Sequence, residues 1–318
     1  MPVNPFFGEY YGRLREAMAS AASEQEARAV AREFGERQKS WASPDVVVED
    51  ITVAGPHGPV PARAYRPVHG RVTVALLWAH GGGFMAGDLD MPEAHMVCGE
   101  LALRAEAFVV SVDYRLANES VHYPVPLDDV HAAWNWLCAD GLPDETGRVP
   151  TAIGGASSGA ALALATALRS QDGGRPADAL LLAYPHAHFP VPALEEPTAA
   201  ELSTQDAMAR FTPGLLEYLV RNYVGRISDL PADALPGAAR LDGLPPTHIV
   251  LSEYDDLRPS GELLKRQLDE AGVPVATFLA EGMLHGHLNF TADLPQIEES
   301  LDFFAAALGE AKTLPSRR

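Results

Sequence analysis

The stretch TAIGGASSGAALALATALRS, at residues 151–170, joins a predicted strand to a predicted helix through a glycine-flanked serine. Ser157 lies at the turn in the pattern G-x-S-x-G, with Gly155 and Gly159 two positions before and after it. A serine on a tight strand-to-helix turn needs small residues there because the backbone is strained and closely packed. The first N–H groups of the helix stay free, and the Ser158 amide is the natural donor to a developing negative charge. The pattern makes Ser157 a candidate nucleophile.

Short apolar runs on both sides of this turn predict the strands of one sheet. They are rich in Val, Ile and Leu, and they alternate with segments of helical periodicity. The predicted strands lie at 72–79, 108–112, 151–155, 179–184, 248–253 and 275–280, and the helices lie near 92–105, 127–139, 158–170 and 259–271. Residues 46–66 contain a turn with Gly and Pro, which predicts an antiparallel hairpin that precedes these strands in the chain. We therefore predict an α/β fold with a doubly wound, mostly parallel eight-stranded sheet covered on both faces.

Two segments depart from this alternation. Residues 1 to about 40 carry apolar side chains at helical spacing and show no strand pattern. Residues 185–244 interrupt the order with proline-rich loops around one amphipathic piece, FTPGLLEYLVRNYV, at 211–224. A length of 318 residues allows one large α/β domain or two ordinary ones. One domain with insertions around a single core fits the pattern better than two domains.

The composition restricts the class of partner. The chain has 43 acidic and 24 basic residues, and its net charge of −19 repels nucleic-acid phosphates and acidic membranes. No apolar stretch approaches the ~20 residues that span a bilayer, and the N-terminus has no signal-peptide pattern. Cys98 and Cys138 are too few for a disulfide framework, so we expect two free buried thiols. We expect a cytoplasmic protein with no nucleic-acid partner and no membrane span.

A glycine-rich loop, His80-Gly81-Gly82-Gly83-Phe84, follows the first predicted parallel strand. Consecutive glycines allow backbone amides to turn toward a reacting oxygen because no Cβ is in the way. An H-G-G-G loop of this kind forms the oxyanion hole of lipases and esterases. The loop also fits a loose dinucleotide-binding pattern, but no acidic residue ends a second strand at the expected distance. We expect His80 to brace the loop rather than to take part in proton transfer.

Two further polar motifs follow predicted strands near the end of the chain. Asp255 and Asp256 follow one strand, and His285 follows the next. The carboxyl ends of parallel strands meet at one edge of a sheet, so these side chains should converge on Ser157. The chain order Ser, Asp, His is that of α/β hydrolases. In this arrangement His285 is the general base toward Ser157 and Asp255 orients its ring, with Asp256 as the alternative acid.

Together these motifs resemble the hormone-sensitive-lipase-like branch (bacterial family IV) of the α/β-hydrolase fold, which contains many bacterial carboxylesterases. The resemblance covers roughly residues 45–310 and rests on HGGGF, VDYRLANE at 112–119, GASSG, DDLR and the terminal H-G. It implies an oxyanion hole formed by the amides of Gly82, Gly83 and Ser158. In the same loop, His80 and Gly81 would have a supporting role.

The resemblance also implies a domain arrangement. Residues 1–45 would form an N-terminal helical cap, 46–312 the catalytic domain, and 185–240 a cap insertion. The chain departs from the family pattern beside the nucleophile, where Ala156 stands in place of the usual acidic residue. The change adjoins the site, so it bears on substrate preference and efficiency rather than on the type of reaction.

We therefore expect a serine carboxylesterase that hydrolyses short- to medium-chain acyl esters through an acyl-enzyme. Its partner would be a small-molecule ester, its state a monomer or homodimer, and we expect no cofactor and no metal. The pairs His186/His188 and His285/His287 have a spacing that can bind zinc, but the sequence offers no clear third ligand. Lactone or amide hydrolysis or an elimination at the same site stays open, as does a non-catalytic ligand-binding role.

Overall fold

A single eight-stranded sheet dominates the computed structural model, which describes residues 2–37, 41–143, 147–290 and 294–313. The strands are β1 (Val46–Gly55), β2 (Gly58–Pro67), β3 (Val74–Ala79), β4 (Ala107–Val112), β5 (Thr151–Ala156), β6 (Ala179–Ala183), β7 (Thr247–Tyr254) and β8 (Val275–Leu284). The α-helices of the described residues are α1 (Pro5–Met18), α2 (Glu24–Arg37), α3 (Pro92–Arg104), α4 (Val125–Ala139), α5 (Ser158–Asp172), α6 (Thr198–Ser203), α7 (Pro213–Val224), α8 (Arg258–Glu270) and α9 (Pro295–Ala311).

The strand order is β1-β2-β4-β3-β5-β6-β7-β8. The hairpin β1–β2 is antiparallel and joins β4 in antiparallel register, whereas the six strands from β3 to β8 run parallel. Parallel neighbours need a crossover, and a helix precedes each later parallel strand. The predicted hairpin and the predicted doubly wound α/β sheet are confirmed.

Two apolar layers cover the faces of the sheet. Every residue of β3, β4 and β6 is buried, as expected for strands with helices on both sides. On one face the core includes Trp134 of α4 with buried residues of α5 and α8. On the other face it includes Trp78 of β3, which packs against Phe304 of α9. The carboxyl ends of the parallel strands lie between these layers, and the loops that follow the strands begin there.

Four details differ from the sequence-based expectations. The N-terminal helical segment is two helices, α1 and α2, with a break at residues 19–23; residues 38–40 lie outside the described part. The helix α9 was not predicted, although Ile297, Leu301 and Phe304 recur at helical spacing and are all buried. Strand β8 continues to Leu284, past its predicted end at 280. Cys98 is buried as expected, but Cys138 is only half-buried.

The connection from β6 to β7 interrupts the alternation, as the sequence indicated. It contains α6, α7 and short 3₁₀ turns. Helix α7 begins at a Thr212 cap whose hydroxyl oxygen accepts the Leu215 amide, and it ends at Gly225 with a φ of 74°. Its buried face includes Leu219 and Tyr223, which pack toward the H-G-G-G loop. Among the described residues, no helix is long and apolar enough to cross a bilayer.

Candidate active site

Ser157 lies at the turn between β5 and α5 in a backbone conformation that L-residues rarely adopt. Its φ is 54° and its ψ is −117°, and its amide donates to the Ala183 carbonyl at the end of β6 (2.9 Å). A Cβ at Gly159 would overlap the carbonyl oxygens of Ala79 and His80, so only glycine fits there. The strained turn presents the Ser157 hydroxyl at the carboxyl edge of the sheet. Steric crowding of the backbone thus explains why the motif has small residues at these positions.

The His285 ring joins Ser157 to Asp255. The Ser157 hydroxyl donates to Nε2 of His285 (2.9 Å), and Nδ1 donates to Oδ2 of Asp255 (2.7 Å). The directions follow because an ionised carboxylate only accepts, which assigns the proton to Nδ1. The second carboxylate oxygen of Asp255 accepts the Leu257 amide (2.8 Å), so the side chain is fixed at both oxygens. Ser157 is 7% exposed and the side chains of Asp255 and His285 are 0% and 5% exposed.

Beside this chain of hydrogen bonds, the H-G-G-G loop turns sharply. Gly82 has a φ of 111°, and a Cβ there would overlap the Ala86 carbonyl, so the loop requires glycine. The amides of Gly82, Gly83 and Ser158 donate to no other group within the part of the chain that the structure describes. Both loop glycines line the same cavity as Ser157. Free amides next to a nucleophilic hydroxyl are the donors that an oxyanion needs.

A cavity of about 350 Å³ opens above Ser157. Its walls are mainly apolar, and they come from α1, from the β6–β7 connection and from the loop after β8. The lining residues are Tyr11, Gly82, Gly83, Met91, Glu93, Ser157, Met208, Phe211, Leu215, Leu219, His285, Gly286, Asn289 and Phe290. No lysine or arginine lines it among the described residues. Such a cavity accepts a small uncharged molecule with an apolar part.

Comparisons with known proteins identify the family of this chain. The model of an alpha/beta hydrolase fold family matches residues 76–289. Esterase LipI of Mycobacterium tuberculosis is 35% identical over 83% of this chain and 82% of LipI, and carboxylesterase NlhH of the same species is 35% identical over 84% of each. An esterase structure from Pyrobaculum calidifontis has a TM-score of 0.80 at 30% identity, covering 98% of this chain and 100% of that one. This chain belongs to the α/β-hydrolase family.

The predicted resemblance to the hormone-sensitive-lipase-like branch of this family is confirmed. In this hydrolase, Asp255 and Asp256 have different partners. Asp256 forms a bidentate ion pair with Arg210 (2.9 Å at each oxygen) and accepts the Phe211 amide (2.7 Å). Asp255 alone reaches His285. The sequence left both acids open as the partner of His285. In the structure Asp256 instead links the β6–β7 connection to the end of β7.

His80 contacts its own loop. Its ring is buried, Nδ1 donates to the Gly81 carbonyl (2.7 Å), and the ring stacks on Tyr114 with centroids 4.4 Å apart. The Tyr114 hydroxyl in turn donates to the His80 carbonyl (2.8 Å). Burial lowers the pKa of His80. Among the described residues, the one hydrogen bond of the ring therefore goes to the loop rather than to Ser157 or His285.

Two other histidines of the H-x-H pairs, His287 and His188, bond to separate partners. His287 bonds to Ser252 (2.9 Å) and Ser300 (3.0 Å), and burial lowers its pKa to about 3. His188 bonds to Ser260 (2.9 Å), and burial lowers its pKa as well. Across the described residues, no group of three or more His, Cys, Asp and Glu is placed to hold a metal ion.

Sequence reasoning missed two polar residues beside this site. Glu93 was assigned only to a covering helix, and Tyr184 only to the end of a strand. In the structure the Tyr184 hydroxyl donates to Oε2 of Glu93 (2.7 Å), and the Tyr184 ring packs edge-on against His285 with centroids 5.0 Å apart. Periodicity does not mark them, because Glu93 lies in a regular helix and Tyr184 directly follows an apolar strand.

Proposed function

We propose that this chain is a serine carboxylesterase in which Ser157 attacks the ester carbonyl, His285 is the general base and Asp255 orients the imidazole. The observation that carries the proposal is the continuous hydrogen-bond chain of these three side chains at the floor of an apolar cavity. Removal of the Ser157 proton by Nε2 makes the oxygen nucleophilic, and the imidazolium formed is stabilised by the Asp255 carboxylate. The imidazolium gives this proton to the alcohol oxygen as the ester C–O bond breaks, which releases the alcohol and leaves an acyl-enzyme. Water then hydrolyses the acyl-enzyme, with His285 again as base, and the acid is released. Ester hydrolysis is also the activity named for relatives such as LipI and NlhH.

The negative charge of the tetrahedral intermediate needs donors that are already in place. We assign this role to the amides of Gly82, Gly83 and Ser158, and a supporting role to His80 and Gly81. Since the three amides have no partner among the described residues, they are free to bind the oxyanion without breaking another bond. The amide of Ser158 also lies at the N-terminus of α5, where the helix dipole favours negative charge.

The size and walls of the cavity support a short- to medium-chain acyl ester as substrate. About 350 Å³ bounded mainly by apolar side chains holds a small uncharged ester. In this proposal residues 1–45 and the insertion at 185–240 form the cap, because Tyr11 of the first and Leu219 of the second both line the cavity. The remainder, to residue 312, is the catalytic domain.

The test is hydrolysis of p-nitrophenyl esters of increasing acyl length by the protein and by Ser157→Ala. Loss of the nucleophile should reduce kcat by about 10⁴-fold or more, because only binding and the oxyanion donors remain. Ser170→Ala is the matched control, since Ser170 is a buried serine of α5 whose hydroxyl bonds, among the described residues, only the Ala167 carbonyl (2.8 Å). Equal turnover by the protein and Ser157→Ala would refute the assignment. Product analysis with lactone and amide substrates distinguishes the other reactions of a serine nucleophile.

A further inference from the structure

Glu93 is a buried carboxyl group in the wall of the active-site cavity that the mechanism above does not use. It is the second residue of α3 and is 1% exposed. Its Oε1 accepts the Gly81 amide (2.7 Å), and its Oε2 accepts the Tyr184 hydroxyl (2.7 Å). Burial raises its pKa. A carboxyl group in such a place lowers stability unless its oxygens are bonded, and here both are.

The two hydrogen bonds of Glu93 lead to the two halves of the catalytic apparatus. Gly81 directly precedes the Gly82 and Gly83 amides that we assign to the oxyanion hole. Tyr184 packs edge-on against His285, and its ring also contacts His287, with centroids 5.3 Å apart. A single side chain thus lies between the loop of the donors and the ring of the base.

The backbone around Glu93 leaves this side chain little freedom. Its carbonyl accepts the Trp78 indole N–H (2.8 Å), and its amide donates to the Asn289 side chain (3.4 Å). On the loop side, a Cβ at Gly81 would overlap Oε1 of Glu93, so the carboxyl group contacts the peptide directly. A rigid support of this kind defines where the following two amides point.

We propose that Glu93 is a positioning residue that holds the Gly81–Gly83 loop and, through Tyr184, the His285 ring in register for the reaction. The inference rests on the proposed function, because it assigns to Glu93 the geometry that the proposed reaction requires. Glu93 acts through hydrogen bonds of its two oxygens and does not touch the reacting atoms.

The experiment compares Glu93→Gln with Glu93→Leu in the ester assay. Glutamine has a carbonyl oxygen that accepts the Gly81 amide and an amide NH2 that donates to the Tyr184 oxygen, so it keeps both contacts, the second with its direction reversed. Glu93→Gln should keep kcat within about fivefold of the unchanged protein. Leucine forms neither bond, and kcat should fall on the order of 100-fold with KM within about twofold, because misplaced oxyanion donors affect the transition state. Thermal unfolding of each variant identifies folded samples.

Tyr184→Phe tests the hydrogen bond between Glu93 and Tyr184, which connects Glu93 to the His285 ring. This variant remains informative if Glu93→Leu does not fold. It removes only the hydroxyl, so the ring packing on His285 stays, and kcat should fall roughly fivefold. The proposal is overturned if folded Glu93→Leu keeps kcat within about threefold, or if Glu93→Gln loses as much as Glu93→Leu. A change confined to KM also overturns it, because Glu93 would then only shape the cavity.

A readout independent of activity separates this proposal from the proposed function. Amide hydrogen exchange of the peptide that contains residues 80–84 should be faster in Glu93→Leu than in the unchanged protein, and unchanged in Glu93→Gln. If Ser157→Ala and the unchanged protein hydrolyse esters equally, the proposed function fails, while the exchange data still decide whether Glu93 holds the loop. Equal exchange in Glu93→Leu and the unchanged protein would show that it does not.

Discussion

The carboxyl edge of the sheet and the segments above it are built in different ways. At the edge, Ser157 and Asp255 follow largely buried strands and His285 follows the buried end of β8. Hydrogen bonds and ring contacts hold these side chains. The cavity walls come from α1, from the β6–β7 connection, which includes α7, and from the loop after β8. Helices α1 and α7 each have one buried face and one exposed face. Tyr218 of α7, for example, is 56% exposed, whereas β3 is wholly buried.

This difference separates two properties of the site. The positions of reacting groups depend on a dense interior, which resists change because any displacement disturbs many contacts. The shape of the cavity depends on side chains of α1 and of the β6–β7 connection, which tolerate substitution more easily. We therefore expect substitutions at the edge to change kcat and substitutions in the walls to change the choice of substrate.

Asp255→Asn should lower kcat more than the other substitutions compared below. The amide group no longer fixes the proton on Nδ1 of His285 or stabilises the imidazolium, so kcat should fall by about 10⁴-fold at neutral pH. Asp256→Asn is the matched control, because Asp256 bonds to Arg210 rather than to His285. It should keep kcat within about threefold, measured in the same ester assay. A similar loss in both variants would mean that the neighbouring acids share the role.

Gly82→Ala should have a smaller effect that separates loop geometry from general backbone strain. With a φ of 111° and the Ala86 carbonyl in the path of a Cβ, the loop must move, and kcat should fall about 10²-fold. Gly58→Ala, in the β1–β2 hairpin, has a similar φ of 108° but lies far from the site in the sheet order. Both variants should lose roughly 1–2 kcal/mol of unfolding free energy, measured by urea denaturation. Only Gly82→Ala should lose activity, and equal activity in the two would contradict the assigned role of the loop.

Leu219→Ala should have the smallest effect on catalysis and should alter selectivity. Leu219 packs against Gly83 and lines the cavity, so its truncation adds space directly above the loop. The ratio of kcat/KM for medium-chain over short-chain esters should rise roughly tenfold. Leu216→Ala removes a buried leucine of the same helix that is not part of the wall, and both variants should lose about 2–3 kcal/mol of stability. An unchanged chain-length profile in Leu219→Ala would show that α7 does not determine the acyl-length preference.

The sequence by itself determined the fold class and most of the candidate site. Strands, the hairpin and the serine turn depend on local patterns, and the alternation of strands and helices brings their carboxyl ends to one edge. For that reason Ser157, Asp255 and His285 could be named before any distance was known. The apolar residues of α9 recur with an equally clear helical period, but the sequence-based prediction does not include this helix.

Only the tertiary structure decided between neighbouring side chains. Asp255 and Asp256 are adjacent and chemically identical, and they have different partners because Arg210, 46 positions from Asp256, pairs with that residue and His285 bonds to Asp255. Glu93 and Tyr184 are 91 positions apart, and no local pattern links a residue of α3 to one at the end of β6. The cavity is likewise formed by residues from Tyr11 to Phe290. Local periodicity records which face of an element is buried, whereas hydrogen bonds between distant elements depend on how those faces pack in three dimensions.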